Sequence, residues 1–140
     1  YLLDYLDELA VHRGVLALTP RSGPERRQVQ QLMALAMVAT EKAVAIEYER
    51  KRPLELQWPD WSERLREQMR QAFAMLEERL AGEFLFGGRL TQADISAVAG
   101  IGFVRYVLPH EWSVEACPAL SGLAARLEAS DAFKAVPIEE

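Results

Sequence analysis

The chain has 140 residues, half of them hydrophobic, with 21 acidic against 16 basic side chains, a formal charge of −5 and one cysteine. That length fits one domain able to bury about 70% of its unfolded surface, and a single cysteine, Cys117, excludes an intramolecular disulfide and any multi-cysteine metal site. The acidic balance, with no Lys/Arg cluster to offset it, argues against a nucleic-acid partner. No fully apolar run approaches the roughly 20 residues of a bilayer span, the longest being 32–39 and 97–104, so no membrane contact is expected.

Apolar spacing predicts five or six helices, and no segment alternates with the period of two that marks a half-buried strand, so the fold class is all-α. Residues 1–10 read as the end of a helix, with Leu2, Leu3, Leu6 and Leu9 on one side and Asp4, Asp7 and Glu8 on the other. The start has neither the basic stretch nor the cleavage site of a secretory leader and no initiating Met. Thr19-Pro20-Arg21-Ser22-Gly23-Pro24 is a turn-rich linker. Ser22 and Glu25 have capping-box spacing, which starts a long helix that runs to about Lys51 before Pro53 ends it. Its apolar positions, among them Val29, Leu32, Ala36, Ala43 and Ile46, wrap around more than one face, so this helix has two apolar neighbours.

Asp60 and Glu63 repeat the capping-box spacing ahead of a third helix. There Leu65, Met69, Ala72, Phe73, Leu76 and Leu80 form a narrow stripe, and Gly82 is the expected C-terminal cap. In the following turn, Gly87-Gly88 permits a tight reversal, Thr91 caps a helix, Asp94 at N3 accepts the Thr91 N–H, and Leu90 staples onto Ile95. The helix from Gln92 to Val107 is apolar on nearly every side and is the expected central helix. Cys117-Pro118 sets Pro at N1 of a helix with Leu120, Leu123, Ala124 and Leu127 inward, and Ser130-Asp131-Ala132-Phe133 opens a last short turn.

No Ser/His/Asp set, phosphate-cradling glycine loop or metal-ligand spacing is present. His12 and His110 read as exposed, and Cys117, just before a helix N-terminus, reads as packing or capping rather than as a reactive thiolate. The charge-dense stretches 47–52 and 63–70 read as solvated helix faces with intrahelical pairs. Thr91 and Asp94 are folding residues by their N-cap and N3 spacing. Met33, Met37, Thr40 and Glu41 share one side of the long helix. Together with the aromatic set Phe103, Tyr106 and Trp112 they suit an adaptable apolar pocket with polar handles, although spacing alone favours an ordinary core or subunit interface.

These residues resemble the helical C-terminal domain of glutathione S-transferases, in particular the bacterial members. Phe86-Gly87-Gly88 with Leu90-Thr91-Gln92-Ala93-Asp94-Ile95 is similar to that family's turn, capping box and staple. Leu3-Asp4-Tyr5-Leu6-Asp7-Glu8 resembles the close of its thioredoxin-like first domain, and Leu18-Thr19-Pro20 with Arg26 its linker. Pro118-Ala119-Leu120, Arg126 and Ala132-Phe133 resemble its last signature, and Arg52-Pro53 with Phe103 to Arg105 an element of some bacterial members. Leu123 stands where Trp is frequent and Asp131 where Pro is usual; neither change threatens a helical fold.

The resemblance implies an orthogonal bundle of five to six helices. Residues 1–12 would close the preceding domain, 13–24 link, and 25–140 form the helical domain. It further implies that glutathione is the co-substrate, held mainly by a first domain outside these residues. The catalytic residue that activates it would lie there too, with none in this chain and no metal. The helical domain would wall the pocket for a small hydrophobic electrophile with Met33, Met37, Thr40, Glu41, Tyr106 and Trp112, in a cytoplasmic, homodimeric, detoxifying enzyme. Arg105, near the end of an apolar helix, needs a carboxylate partner or a polar cleft, and reads as a member of a structural ion pair. The alternative is a non-catalytic interaction module of the same family.

Overall fold

A computed structural model describes residues 2–137. Among them the elements are α1 (Leu2–His12), α2 (Gly23–Arg50), α3 (Pro59–Arg79), α4 (Gln92–Val107), α5 (Pro118–Glu128) and α6 (Asp131–Lys134), with short 3-10 turns at Leu54–Leu56 and Pro109–Glu111 and no strand. The expected all-α bundle of five to six helices is therefore present. Tyr1, the first residue of the expected opening helix, lies outside the described residues.

The bundle is organised around α2, which packs against both α3 and α4, while α5 closes against α4 and α3. The two-faced apolar pattern of α2 is thus used twice. Val29, Ala36, Ala39, Ala43 and Ile46 are all 1% exposed or less, and the three alanines among them are small enough for neighbouring helices to approach closely. By length and composition alone α2 could span a membrane, a test that fully apolar runs of the sequence do not meet. Its place between two packed helices accounts for its apolar content. The whole α3 stripe from Leu65 to Leu80 is buried, as are Ile101 and Val104 of α4 and Leu120 and Leu123 of α5.

Helix starts divide into those that follow the local pattern and those that do not. The Thr91–Asp94 box forms: Asp94 accepts the Thr91 N–H at 2.7 Å and the Thr91 hydroxyl at 2.8 Å, and α4 has the predicted bounds. Ser22 does stand at the N-cap of α2, but its side chain makes no capping bond. The box expected at Asp60 and Glu63 is absent, because α3 begins at Pro59 with Trp58 as its cap residue. There the Trp58 N–H goes instead to Glu49 at the end of α2, at 2.7 Å. Gly82 caps nothing: α3 ends at Arg79 with Leu80 in the cap position. The turn before α4 uses Gly87 and Gly88, both at φ +68, a left-handed conformation that strains any residue bearing a Cβ.

The segment between α1 and α2 is pinned from both sides. Asp7 accepts the N–H groups of Leu18 and Thr19 at 2.8 and 2.9 Å, Arg26 bonds Asp4 at 2.8 Å, and the Leu18 carbonyl accepts the Gln92 N–H at 3.1 Å. The first helix itself buries nothing fully: Leu2, Leu3, Tyr5 and Leu6 are between 43% and 66% exposed.

Candidate functional site

The side of α2 singled out by Met37, Thr40 and Glu41 meets Ser96, Ala99, Gly100 and Phe103 of α4 in an open groove of about 370 Å³. At its floor the two helices lie close together. A Cβ on Gly100 would stand 2.5 Å from the Thr40 Oγ1, so only glycine lets α4 lie this near α2. The Thr40 hydroxyl donates to the Ala36 carbonyl at 2.9 Å, which fixes its rotamer. Met37 is 59% exposed, an unusual position for a flexible apolar side chain with no docking role.

Phe103 also walls a second groove, of about 680 Å³, that continues toward the C-terminal ends of both helices. Tyr106 lines this second groove, opposite Tyr48 and Val44 of α2. Four of the six expected pocket residues, Met37, Thr40, Glu41 and Tyr106, therefore lie along the α2–α4 trough, in two neighbouring grooves that share Phe103 as a wall. Met33 is half-buried and packs on the core. Trp112 lies apart, edge-to-face on Phe73 with ring centroids 5.1 Å apart, lining a separate concavity with Glu111 and Cys117.

Three further residues extend this face. Val44, Tyr48 and Lys51 fall 7, 11 and 14 residues after Met37 and so continue its stripe. Ser96, Ala99, Gly100 and Phe103 are the matching small-residue face of α4. At the far end Glu47 is held by Arg50 at 2.6 Å and Lys51 at 3.1 Å. Burial opposes the charge on Glu47, but these two cations outweigh it and keep the carboxyl below its ordinary pKa.

Other charged groups are structural. Arg105 finds its carboxylate in Glu128 of α5, at 3.0 Å. The charge-dense faces do hold intrahelical pairs, but Glu111 reaches across to Arg66 and Arg70 at 2.8 and 2.9 Å. Glu77, on the polar side of α3, accepts the N–H groups of Ala119 and Leu120 at 2.7 and 2.8 Å and so caps α5 from outside. The Cys117 thiol is buried, and burial with the nearby Glu77 charge pushes its pKa up, opposite to the shift that makes a cysteine nucleophilic. Among the described residues no three His, Cys, Asp or Glu side chains gather as a metal ion would require.

An all-helical bundle with a glycine turn, a buried Thr–Asp capping box and a trough between the long helix and the apolar helix that follows the turn is the architecture of a glutathione-transferase helical domain. Residues 59–126 match the model of the family described as glutathione S-transferase, C-terminal domain, and the described chain as a whole has that domain's fold. Comparison with curated proteins gives no match. Among solved structures, a glutathione transferase family member from Pseudomonas fluorescens Pf-5 with bound glutathione superposes with TM-score 0.87 at 25% identity, over 99% of this chain and 66% of its own. A second structure from that organism, with bound S-(propanoic acid)-glutathione, gives 0.86 at 28% identity over 95% and 66%. A glutathione S-transferase from Methylobacillus flagellatus with glutathione bound gives 0.86 at 24% identity over 94% and 64%. The chain thus spans just under two thirds of these proteins.

Proposed function

We propose that this chain is the electrophile-binding domain of a two-domain glutathione transferase that joins the glutathione thiolate to small hydrophobic electrophiles. The observation that carries this reading is the superposition of nearly the whole chain on two thirds of a transferase crystallised with glutathione. In it, residues 1–12 close the preceding domain, 13–24 link, and 25–140 form the helical domain. The exposed apolar face of α1, from Leu2 to Leu6, supports this division, because contiguous exposed apolar side chains mark a docking face.

Chemically, the other domain would bind glutathione and lower its thiol pKa, since the thiolate attacks. The trough would supply desolvation and orientation: Met37 and Phe103 contact the apolar body of the electrophile, and Thr40 and Glu41 receive its polar substituents. No step of bond making is assigned to a residue of this chain. A homodimeric enzyme is part of the same reading. The test is conjugation of glutathione to 1-chloro-2,4-dinitrobenzene by the full-length protein, with retention on immobilised glutathione. Turnover that falls in Met37→Ala through a raised KM supports the assignment. No turnover together with no retention would instead favour a non-catalytic interaction module.

A further inference from the structure

We propose that the α2–α4 trough takes an elongated aromatic acid, its anionic group at Arg50 and Lys51 and its ring between Tyr48 and Tyr106. The inference deepens the reading above and rests on it only for which end of the ligand reacts; binding requires residues of this chain alone.

The charge distribution along α2 sets the orientation. Arg50 and Lys51 share one carboxylate, Glu47, at 2.6 and 3.1 Å. That carboxylate side chain is 13% exposed while the two cations are 59% and 68% exposed, so the anion is sequestered and the cationic N–H groups face solvent at the groove mouth. Two positive charges against one leave an excess of one. The C-terminal end of the helix contributes only about −0.5, which does not cancel it. Arginine carries five donors, of which Glu47 occupies a minority, and the remainder suit a planar carboxylate. The opposite end of the trough holds Glu41 instead. Ten residues separate Glu41 from Lys51, about 15 Å at 1.5 Å per residue, so an anion is repelled from one end and attracted at the other.

Between the charged ends the lining is apolar and aromatic. Val44, Phe103 and Val107 form the walls, and Tyr48 and Tyr106 stand 70% and 51% exposed at the rim. Two exposed phenol rings flanking an apolar slot suit a flat ring, which gains edge or offset stacking beyond simple burial. The groove of about 680 Å³ accommodates two linked rings, and the neighbouring groove of about 370 Å³ on the other side of Phe103 lies toward Met37, where a reactive tail would extend.

Titration calorimetry of the chain with biphenyl-4-carboxylate and its neutral analogue biphenyl-4-methanol tests this, with amide chemical shifts locating the ligand. The acid is expected to bind about five- to tenfold more tightly than the alcohol at low salt, as partly exposed charge-assisted contacts allow, with shifts at α2 and α4 around Tyr48 and Tyr106. Arg50→Gln with Lys51→Gln should remove that preference while leaving alcohol binding unchanged, with a lowered thermal transition because Glu47 loses both of its cations, and added salt should erode the preference in the wild type. Tyr106→Leu should weaken both ligands alike. Equal affinity for the two ligands, a preference that survives the double substitution, or shifts centred on Trp112 and Glu111 would overturn the proposal. Acid preference without conjugation by the full-length protein would sink the transferase reading and leave this one standing; conjugation without acid preference would do the reverse.

Discussion

Two helices of this bundle start on a carboxylate, and the carboxylates arrive from opposite distances along the chain. Asp94 belongs to the helix it caps, three residues inside α4, whereas Glu77 reaches α5 from α3, more than 40 residues earlier. Both satisfy N–H groups that a helix N-terminus leaves without partners, and both set negative charge where the helix dipole is positive. Their surroundings differ. Asp94 is fully buried and also holds the Leu85 N–H at 2.7 Å, tying the glycine turn to α4. Glu77 is only partly buried, so water can replace it in part. The local cap acts as a folding element and the distant one as a docking restraint.

Asp94→Ala separates the two most sharply. It leaves the Leu85 N–H, the Thr91 N–H and the Thr91 hydroxyl without their acceptor in a buried site. With about 1–3 kcal/mol for each unsatisfied buried donor, and less than full additivity, the expected loss is at least ~3 kcal/mol in a urea titration followed by circular dichroism. A loss below ~1 kcal/mol would mean that the turn opens to water and that the two caps are equivalent.

Gly100→Ala comes next and asks whether the α2–α4 contact is as unforgiving as that turn. The new methyl meets the Thr40 Oγ1 at 2.5 Å, so the helices must part or the Thr40 hydroxyl must leave Ala36. Overpacking of this kind costs about 1–3 kcal/mol. Thr40→Ala in the same chain should recover part of it, seen as a favourable coupling in a double-mutant cycle.

Glu77→Ala is expected to cost about 1–2 kcal/mol, the range for a lost helix cap, and Glu77→Gln less, because one acceptor oxygen remains. The same substitutions should lower the Cys117 pKa without normalising it, since burial acts first and the Glu77 charge second. The pH profile of thiol alkylation reads this directly. An unchanged profile would show that Glu77 does not influence the thiol.

The contrast between the caps also explains what the sequence reveals. Thr91 and Asp94 are readable because their partnership is three residues long, and the α3 stripe because helical period alone decides which side is buried. Glu77 occupies the polar side of that same helix, and nothing in the period says which distant N-terminus a polar residue will meet. The Asp60–Glu63 spacing predicts a box for the same local reason, yet Glu49, from the preceding helix, takes the Trp58 N–H and the helix starts at Pro59. In the trough, Met37, Thr40 and Glu41 are placed by the period of one uninterrupted helix. Trp112 follows the break at Leu108–Pro109, where the period ends and its direction is set by Phe73.

Glu49 gives an effect confined to acid. Its carboxyl is buried to 7% exposure, and the backbone hydrogen bond from Trp58, with Arg52 beside it, holds its pKa below the ordinary 4.5. A group with a lowered folded pKa binds fewer protons folded than unfolded, so its contribution is complete above about pH 4.5 and fades as the pH falls through the folded value. Glu49→Gln should therefore flatten the acid limb of a stability-against-pH curve while changing its slope little near neutrality. An identical acid limb would show that the link between α2 and α3 does not depend on this charge.

The smallest effect is expected at Arg105, the residue for which the sequence demanded a partner most plainly. Glu128 supplies one at 3.0 Å, but the two side chains are 43% and 36% exposed, so water screens the pair and ordering both chains costs entropy. Exposed pairs of this kind contribute about 0–1 kcal/mol. Arg105→Gln should change stability by no more than ~0.5 kcal/mol, and by less in high salt. A measured loss above ~1 kcal/mol would exceed what an exposed pair contributes and place α5 under electrostatic rather than apolar control. The burial of Leu120, Leu123 and Ala124 beneath that pair favours the smaller value, because apolar contact already fixes the two helices before the charges meet.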